Sequence, residues 1–439
     1  MEQMFGIPTS QTPINKNKVI PNTREKSGKL KGGQKSHKKH KLEKFKDEEI
    51  NDNVTYELDE CPNCGGNLTK VGEITKDELS YRFVPIKRRN HFIKYKCTCC
   101  EKEVHKSIPN RLKEDNQYGS EIQSVALLLA SEGNVSMNKI RHIIRGFSHG
   151  EIDMSEGYIA KLQSKASKKL ETFKNDLYMK ILKVKLLYWD DTVIMIDTKR
   201  ACLRFYADEK IAYYTTHMKK NEAGIKEDKI LPALSKEVIV MHDHNKINYK
   251  YSYQNIECNV HLIRDLEKCK NNTGHEWCDK LKEPIQKALH DKKECIDKNQ
   301  TSFSKEYIDS FDEKLNDVLL EAIEENRSKP KTHYDSKEKA LINRVLEYKA
   351  NFFLWMHDFS LPSDDNLSER ALRGIKSKMK IAGQFQNVEY VRYYTDIKTY
   401  IETCYRNGIN PTDALIRLME YNPYTIEEIF SETENDENV

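Results

Sequence analysis

No long apolar run occurs in this sequence. The longest uninterrupted one is Val125–Ala130, far short of the ~20 residues that cross a bilayer. No apolar segment follows Met1 either, so no export signal is read. Together these absences predict a soluble cytoplasmic protein without a membrane partner. An even set of cysteines is also lacking. There are 11, four of them in two Cys-x2-Cys pairs, which fits metal ligation in a reducing compartment better than a disulfide framework. Net charge is nearly absent at +4, but what charge there is lies unevenly. Residues 16–46 hold twelve Lys or Arg against Glu25 and Glu43, whereas 427–439 hold six acids and no base. Such a basic arm suits a polyanion, most simply nucleic acid, through counterion release, or else serves as a solubilising tail.

The 439 residues suffice for about three domains at roughly 150 residues each. With 38% hydrophobic and 32% charged residues, a core can form while much of the chain stays solvated, which excludes wholesale disorder. The fold class predicted is multidomain α/β plus α, without internal repeats. Residues 1–57 read as a flexible basic arm, with Pro8, Pro13, Pro21 and Gly32-Gly33 but no apolar period. Residues 58–106 contain the cysteine pairs, with strands expected at Tyr81–Val84 and Phe92–Tyr95. Residues 107–178 turn helical: Ile122, Val125, Ala126 and Leu129 share a face, Gly133-Asn134 breaks the run, a helix is expected over Met137–Ile144, and Ser155 caps a third. From 179 to 264 the period becomes that of strands, at Leu186–Trp189, Leu203–Tyr206, Ala212–Tyr214 and Val238–Met241, with a helix over Glu227–Leu234 and a short strand ending near Cys258. That order implies a mixed sheet. Residues 265–350 lack strand signals and read as a helical insertion, 351–425 as further helices, and 426–439 as an acidic tail.

Cys61 and Cys64 with Cys97 and Cys100 supply four thiolates, the donor set of a structural zinc ribbon with no position left for substrate. The gap of 32 residues from Gly65 to Lys96 is long for a ribbon but can be closed by a hairpin, and Cys99 competes with its neighbours as a ligand. In the helical segment, three short helices with one break resemble a helix-turn-helix, whose later helix, Glu156–Leu170, carries Lys161, Lys165, Lys168 and Lys169. An ordinary helical linker could carry the same residues.

Acids recur where strands end. Asp190 and Asp191 are expected to close one strand and Asp243 another, while Glu369 opens a distant helix. At the edge of an α/β sheet such groups can converge. Three carboxylates about 4 Å apart repel by ~4 kcal/mol per pair at an effective dielectric of 20, so the cluster needs cations. Hard oxygens suit Mg²⁺ or Mn²⁺, and two ions about 4 Å apart can clamp the attacking and leaving oxygens of a phosphodiester. Each acid also has an ordinary explanation. Asp190 or Asp191 could cap a turn, with only one of the pair able to face a site. Asp243 could belong to a turn, and Glu369 could complete a capping box with Asn366 or pair with Arg373.

Several motifs occur in order: Gly32-Gly33-Gln34 with His37, Cys61-Pro62-Asn63-Cys64-Gly65-Gly66, Tyr95-Lys96-Cys97 before Cys100, Asp190-Asp191-Thr192, Cys258-x2-His261, and Pro362-Ser363-Asp364-Asp365-Asn366-x2-Glu369-Arg370. Taken together they resemble the insertion sequence 66 transposases, a DDE group with a ribonuclease H-like catalytic domain, from about residue 20 to 420. The resemblance implies Asp190, Asp243 and Glu369 as catalytic ligands of two Mg²⁺ (or Mn²⁺) ions, Cys258 and His261 near the active site, and structural Zn²⁺ on the four cysteines. Asp191 stands where the family usually has Glu, and Asp365 where it usually has Asn. Longer members carry an N-terminal extension for which the residues before 15 leave no room.

The activity implied is hydrolysis at element ends, which releases a 3′-hydroxyl, followed by strand transfer to target DNA. The partners implied are double-stranded DNA, a homo-oligomer on that DNA and accessory proteins of the element, in the bacterial nucleoid. Arg370, Arg373, Lys376 and Lys380 would line DNA beside Glu369, and Lys161 and Lys165 would serve the helical module; a solvated basic face would look the same. The competing readings are a catalytically silent zinc-ribbon DNA-binding protein and, more remotely, a nuclease acting on RNA hybrids.

Overall fold

The computed structural model describes residues 44–81, 83–251, 254–328 and 333–431. The first 43 residues, with most of the basic arm, lie outside them, as do 432–439. The chain divides between Lys87 and Arg88 into two compact units. Thirteen α-helices and seven β-strands are found among the described residues.

In the segment before Lys87 the expected strand at Tyr81–Val84 is not found: Tyr81, Phe83 and Val84 lie in irregular backbone, with Tyr81 and Val84 well exposed. Past Arg88, β1 (Lys94–Lys96) and β2 (Glu103–His105) form an antiparallel hairpin around Cys97–Cys100. The strand expected at Phe92–Tyr95 thus starts two residues later and ends one residue later, a usual boundary error.

A five-stranded sheet organises the rest: β3 (Leu186–Ile196), β4 (Lys199–Ala207), β5 (Ala212–His217), β6 (Ile239–His242) and β7 (Gln254–Glu257). Their spatial order is β5-β4-β3-β6-β7. The first three are an antiparallel meander, β6 pairs parallel to β3, and β7 pairs parallel to β6. The helix expected at Glu227–Leu234 instead covers Glu222–Asp228 (α5), because Lys229 turns left-handed and Pro232 follows. Gly224 within it has no room for a side chain: a Cβ would stand 2.2 Å from the Lys219 carbonyl and 2.8 Å from the buried Arg204 guanidinium.

Alternation along the strands sends side chains to two faces. On one, Leu187, Trp189, Tyr206, Tyr213 and Val240 pack into a single core with helices α1 (Ser120–Ser131), α2 (Met137–Phe147), α3 (Glu156–Lys169), α4 (Glu171–Ile181), α11 (Val388–Arg406), α12 (Pro411–Met419) and α13 (Ile426–Ser431). Ser155 caps α3, its hydroxyl accepting from the Tyr158 N–H. The helical segment 107–178 therefore shares its buried core with the sheet, since Ile159, Leu162 and Ala166 of α3 lie in it beside Ile397 and Ile401 of α11. The acidic tail also begins later than expected. Residues 426–431 are helical, anchored by Ile426, Ile429 and Phe430.

The other face carries Phe205, Tyr214 and Ile194 against α10 (Asn366–Ala382) and the start of α11. At the β6–β7 edge the insertion comprises α6 (Asn259–Thr273), α7 (Trp277–Asp297), α8 (Lys305–Ser328) and α9 (Asp335–Phe353), which bury Tyr188, Met241 and Ile256. It starts six residues before the expected 265, because the polar Asn259, His261 and Arg264 alternate with an apolar stripe of Leu262, Ile263 and Leu266.

Candidate active site

Asp190 and Asp191 lie in mid-strand, since β3 runs on to Ile196. They do not close it, but they lie just past the point where pairing with β6 stops. That parallel pairing ends at Tyr188–Met241; Asp190 stands two residues farther along β3, and Asp243 two residues farther along the chain, just past the end of β6. The two acids of β3 face opposite ways. Asp191 shares a face with Trp189 and meets Lys220 Nζ at 2.5 Å, with the Cys202 thiol 3.5 Å away. Asp190 faces the α10 side. Its buried position first, and the Asp243 charge second, push its carboxyl up to about 7, while Lys376 on α10 partly offsets them.

The start of α10 adds another acid. Its N-cap is Asp365, not Asn366: the Asp365 carboxylate accepts from the Ser368 N–H at 3.3 Å. Asp365 is 1% exposed, and burial, together with the charges of Asp190 and Asp243, pushes its carboxyl well up. Cys258 and Asn259 fasten this turn from below. The Cys258 sulfur accepts from the Asp365 N–H at 3.3 Å, and Asn259 donates to the Ser363 and Phe352 carbonyls at 3.1 and 2.7 Å. Cys258 is thus a buried support of the α10 N-terminus.

Glu369 lies one turn along α10, its N–H bonded to the Asp365 carbonyl at 3.1 Å. Its carboxylate is held by cations. Arg264 of α6 donates to both oxygens, at 2.5 and 3.1 Å; Arg373 reaches Oε2 at 3.4 Å, and His261 Nε2 lies 3.6 Å from Oε1. Burial would raise Glu369, but Arg264, with His261 and Arg373, holds it below the usual carboxylate range. Because Asp365 and Lys376 both act on Asp190 from the same helix, Glu369 lies along the stretch of α10 that faces β3. Asp190, Asp243 and Asp365 are therefore gathered within electrostatic reach of one another, and Glu369, one turn along α10 from Asp365, is held in a cationic clamp. Sequence reasoning missed Arg264. Its one local signal is the spacing His261-x2-Arg264 on a single helix face.

The donor chemistry of Asp190 and Asp243 suits a hard divalent cation, since oxygens that raise each other's pKa are relieved by such a charge. Among the described residues no three of His, Cys, Asp and Glu close on a metal-sized site, neither these acids nor the four cysteines of the two Cys-x2-Cys pairs.

Each cysteine pair forms the same local turn. In the first, Gly65 N–H bonds back to the Cys61 carbonyl at 2.8 Å with Gly65 at φ +70°; in the second, Glu101 N–H bonds to the Cys97 carbonyl at 2.9 Å with Glu101 at φ 58°. Backbone N–H groups of Asn63 and Cys64 lower the Cys61 thiol, and those of Cys100 and Cys99 lower that of Cys97. Turns that favour thiolate are the local geometry a metal ligand needs.

Of the lysines singled out on α3, Lys161, Lys165 and Lys168 are exposed. Lys169 instead caps α12, donating to the Leu418 and Met419 carbonyls at 3.1 and 2.9 Å and lying 3.4 Å over the Tyr421 ring. On α10, Arg370, Arg373, Lys376 and Lys380 are exposed, with Arg370 Nε also bonded to the Asn366 carbonyl at 3.2 Å.

No helix among the described residues is long and apolar enough to cross a membrane. No curated protein matches the sequence significantly. The family model of the transposase IS66 family does match, over residues 120–392, more than half of the chain, from α1 through the acids of β3, of the residue after β6 and of α10 into α11. On that match, the chain belongs to the IS66 family of transposases.

Proposed function

We propose that the chain cleaves phosphodiester bonds at the ends of its element and joins them to target DNA, with Asp190, Asp243 and Glu369 as ligands of two Mg²⁺ or Mn²⁺ ions. The observation that carries this reading is the closeness of Asp190 and Asp243 just past the point where β3 and β6 stop pairing, each raising the carboxyl of Asp365 at the start of the helix that carries Glu369. The sheet order, a three-stranded antiparallel meander followed by two parallel strands, supports a ribonuclease H-like core. Ions held by these acids would supply activation of the attacking oxygen and neutralisation of charge on the phosphate. The protein's part would be to present the carboxylates of Asp190, Asp243 and Glu369 to the ions. Lys376 beside Asp190, with Arg370, Arg373 and Lys380 on the same helix, would hold the DNA backbone through phosphate contacts. Lys161 and Lys165 of α3 would extend that contact, and self-association and accessory proteins belong to the same proposal.

Zinc is proposed on Cys61, Cys64, Cys97 and Cys100, as a structural element that stiffens the region before α1. The support is the matched turn around each pair. Chelation should unfold that region and weaken DNA binding while the sheet keeps its fold, because structural zinc contributes folding energy locally. Metal analysis finding no zinc in the purified protein would reject it.

A strand-cleavage assay on labelled element ends with Mg²⁺ tests the enzymatic reading. Asp190→Asn is expected to abolish cleavage and leave DNA affinity within about twofold, since the metal ligands are not the phosphate contacts that supply affinity. Undiminished cleavage would remove Asp190 from the site. A catalytically silent DNA-binding protein is the second reading, favoured by the hold of Arg264 on Glu369. Absence of cleavage by the unaltered protein on authentic ends would select it.

A further inference from the structure

Charge is divided unevenly across α10. On the β3 side, Asp190, Asp243 and Asp365 crowd together with Lys376 as the cation acting on Asp190 from α10. On the α6 side, Arg264, Arg373 and His261 surround one carboxylate, that of Glu369. Glu369 stands on the boundary between an acid-rich and a base-rich cluster. Both of its oxygens are taken by the fork of Arg264.

We propose that Arg264 is a positioning residue that exchanges partners: in the free protein it holds Glu369, and on docked DNA a backbone phosphate takes its place, releasing Glu369 toward Asp190 and Asp243. This rests on the reading of those acids as a metal site. A guanidinium fork fits a carboxylate and a phosphate with the same two parallel hydrogen bonds, so the exchange costs Arg264 no geometry. The Arg264 side chain is 34% exposed, against 11% for Glu369; a ligand can reach the arginine without unfolding anything. Arg373 is 66% exposed and has length to follow the same phosphate. The surplus of cations around a single carboxylate leaves capacity for a second anion. In the acid cluster the reverse holds, and an arriving cation is the favourable event. Phosphate on one side and metal on the other would thus bind cooperatively, each raising the affinity of the other by the same factor.

The test is Mn²⁺ binding to the full-length protein, measured by electron paramagnetic resonance, with and without a random-sequence DNA duplex. In the unaltered protein the duplex should raise Mn²⁺ affinity by about tenfold, the scale on which groups contacting a metal ligand act. Arg264→Met should bind Mn²⁺ more tightly than the unaltered protein without DNA, by a similar factor of about ten, and should lose most of the DNA-dependent gain. A variant that had merely lost structure would bind more weakly, and Arg264→Gln, which keeps a planar donor, provides a second, milder substitution. Unchanged or weaker Mn²⁺ binding by both folded variants without DNA overturns the proposal, as does the absence of any DNA effect in the unaltered protein. Asp190→Asn separates the two levels. If it leaves Mn²⁺ binding intact, the metal-site reading itself fails; if it abolishes binding while the Arg264 variants behave like the unaltered protein, only the exchange fails.

Discussion

Two acids, Glu338 buried in the helical insertion and Asp190 half-buried in the sheet, are surrounded in opposite ways. Glu338 is 1% exposed and accepts from His275 Nδ1, Trp277 Nε1 and Asn326 Nδ2 at 2.6, 2.7 and 2.6 Å, with Cys269 nearby. Donors from three helices and the turn between α6 and α7 end on one carboxylate, which ties the insertion together. Asp190 has the Asp191 N–H as a donor at 2.7 Å, and two other acids press on it. Burial of an acid does not by itself mark a reactive site. What separates a structural carboxylate from a candidate ligand is whether its neighbours satisfy it.

The largest effect that comparison predicts is at the satisfied acid. Glu338→Leu should lower unfolding free energy by about 3 kcal/mol or more in urea melts, because it strands several buried donors at once. A loss under about 1 kcal/mol would mean that the network is dispensable and would erase the contrast. At Asp190 the sign should reverse. In metal-free protein at pH 7, Asp190→Asn should raise stability by about 1–3 kcal/mol, since it removes a carboxylate whose ionisation the fold opposes. The folded-state value of about 7 lies above the ordinary 3.8. The stability contributed by the protonated carboxyl is therefore complete below the unfolded value and is lost as pH rises through 7, so the advantage of the Asn variant should grow across that window. A variant less stable than the parent at pH 7 would contradict the account. The smallest effect should be next door. Asp191→Asn breaks a contact to Lys220, whose side chain is 54% exposed, and should cost about 0.2–1 kcal/mol, with the opposite sign to Asp190→Asn. Equal shifts at the two positions would mean that they do not differ in environment.

Much of this was legible in the sequence. The strands show as short apolar runs because the sheet is covered on both faces, and the helical insertion shows as a long charged stretch without strand signals. The full length of β3 was hidden by its two acids, which interrupt the apolar run and imitate a strand end. The true start of α6 was hidden in the same way by Asn259, His261 and Arg264. Alternation along β3 was enough to predict that Asp190 and Asp191 could not share a site. The sequence could not show the partner of Glu369, because Arg264 lies 105 residues away and nothing local links the two. Nor could it show that Asp365, rather than Asn366, caps α10, since both residue types suit that position and backbone angles decide between them.

The account depends on divalent ions binding between β3, β6 and α10. The direct test is to load the DNA-bound protein with Fe²⁺ and, by adding ascorbate and peroxide, let the bound iron cut the nearby polypeptide chain. The cuts should fall near 190, 243 and 369, and vanish when Mg²⁺ competes. Cuts confined to other regions, or cuts at these three places that persist in Asp190→Asn, would contradict it.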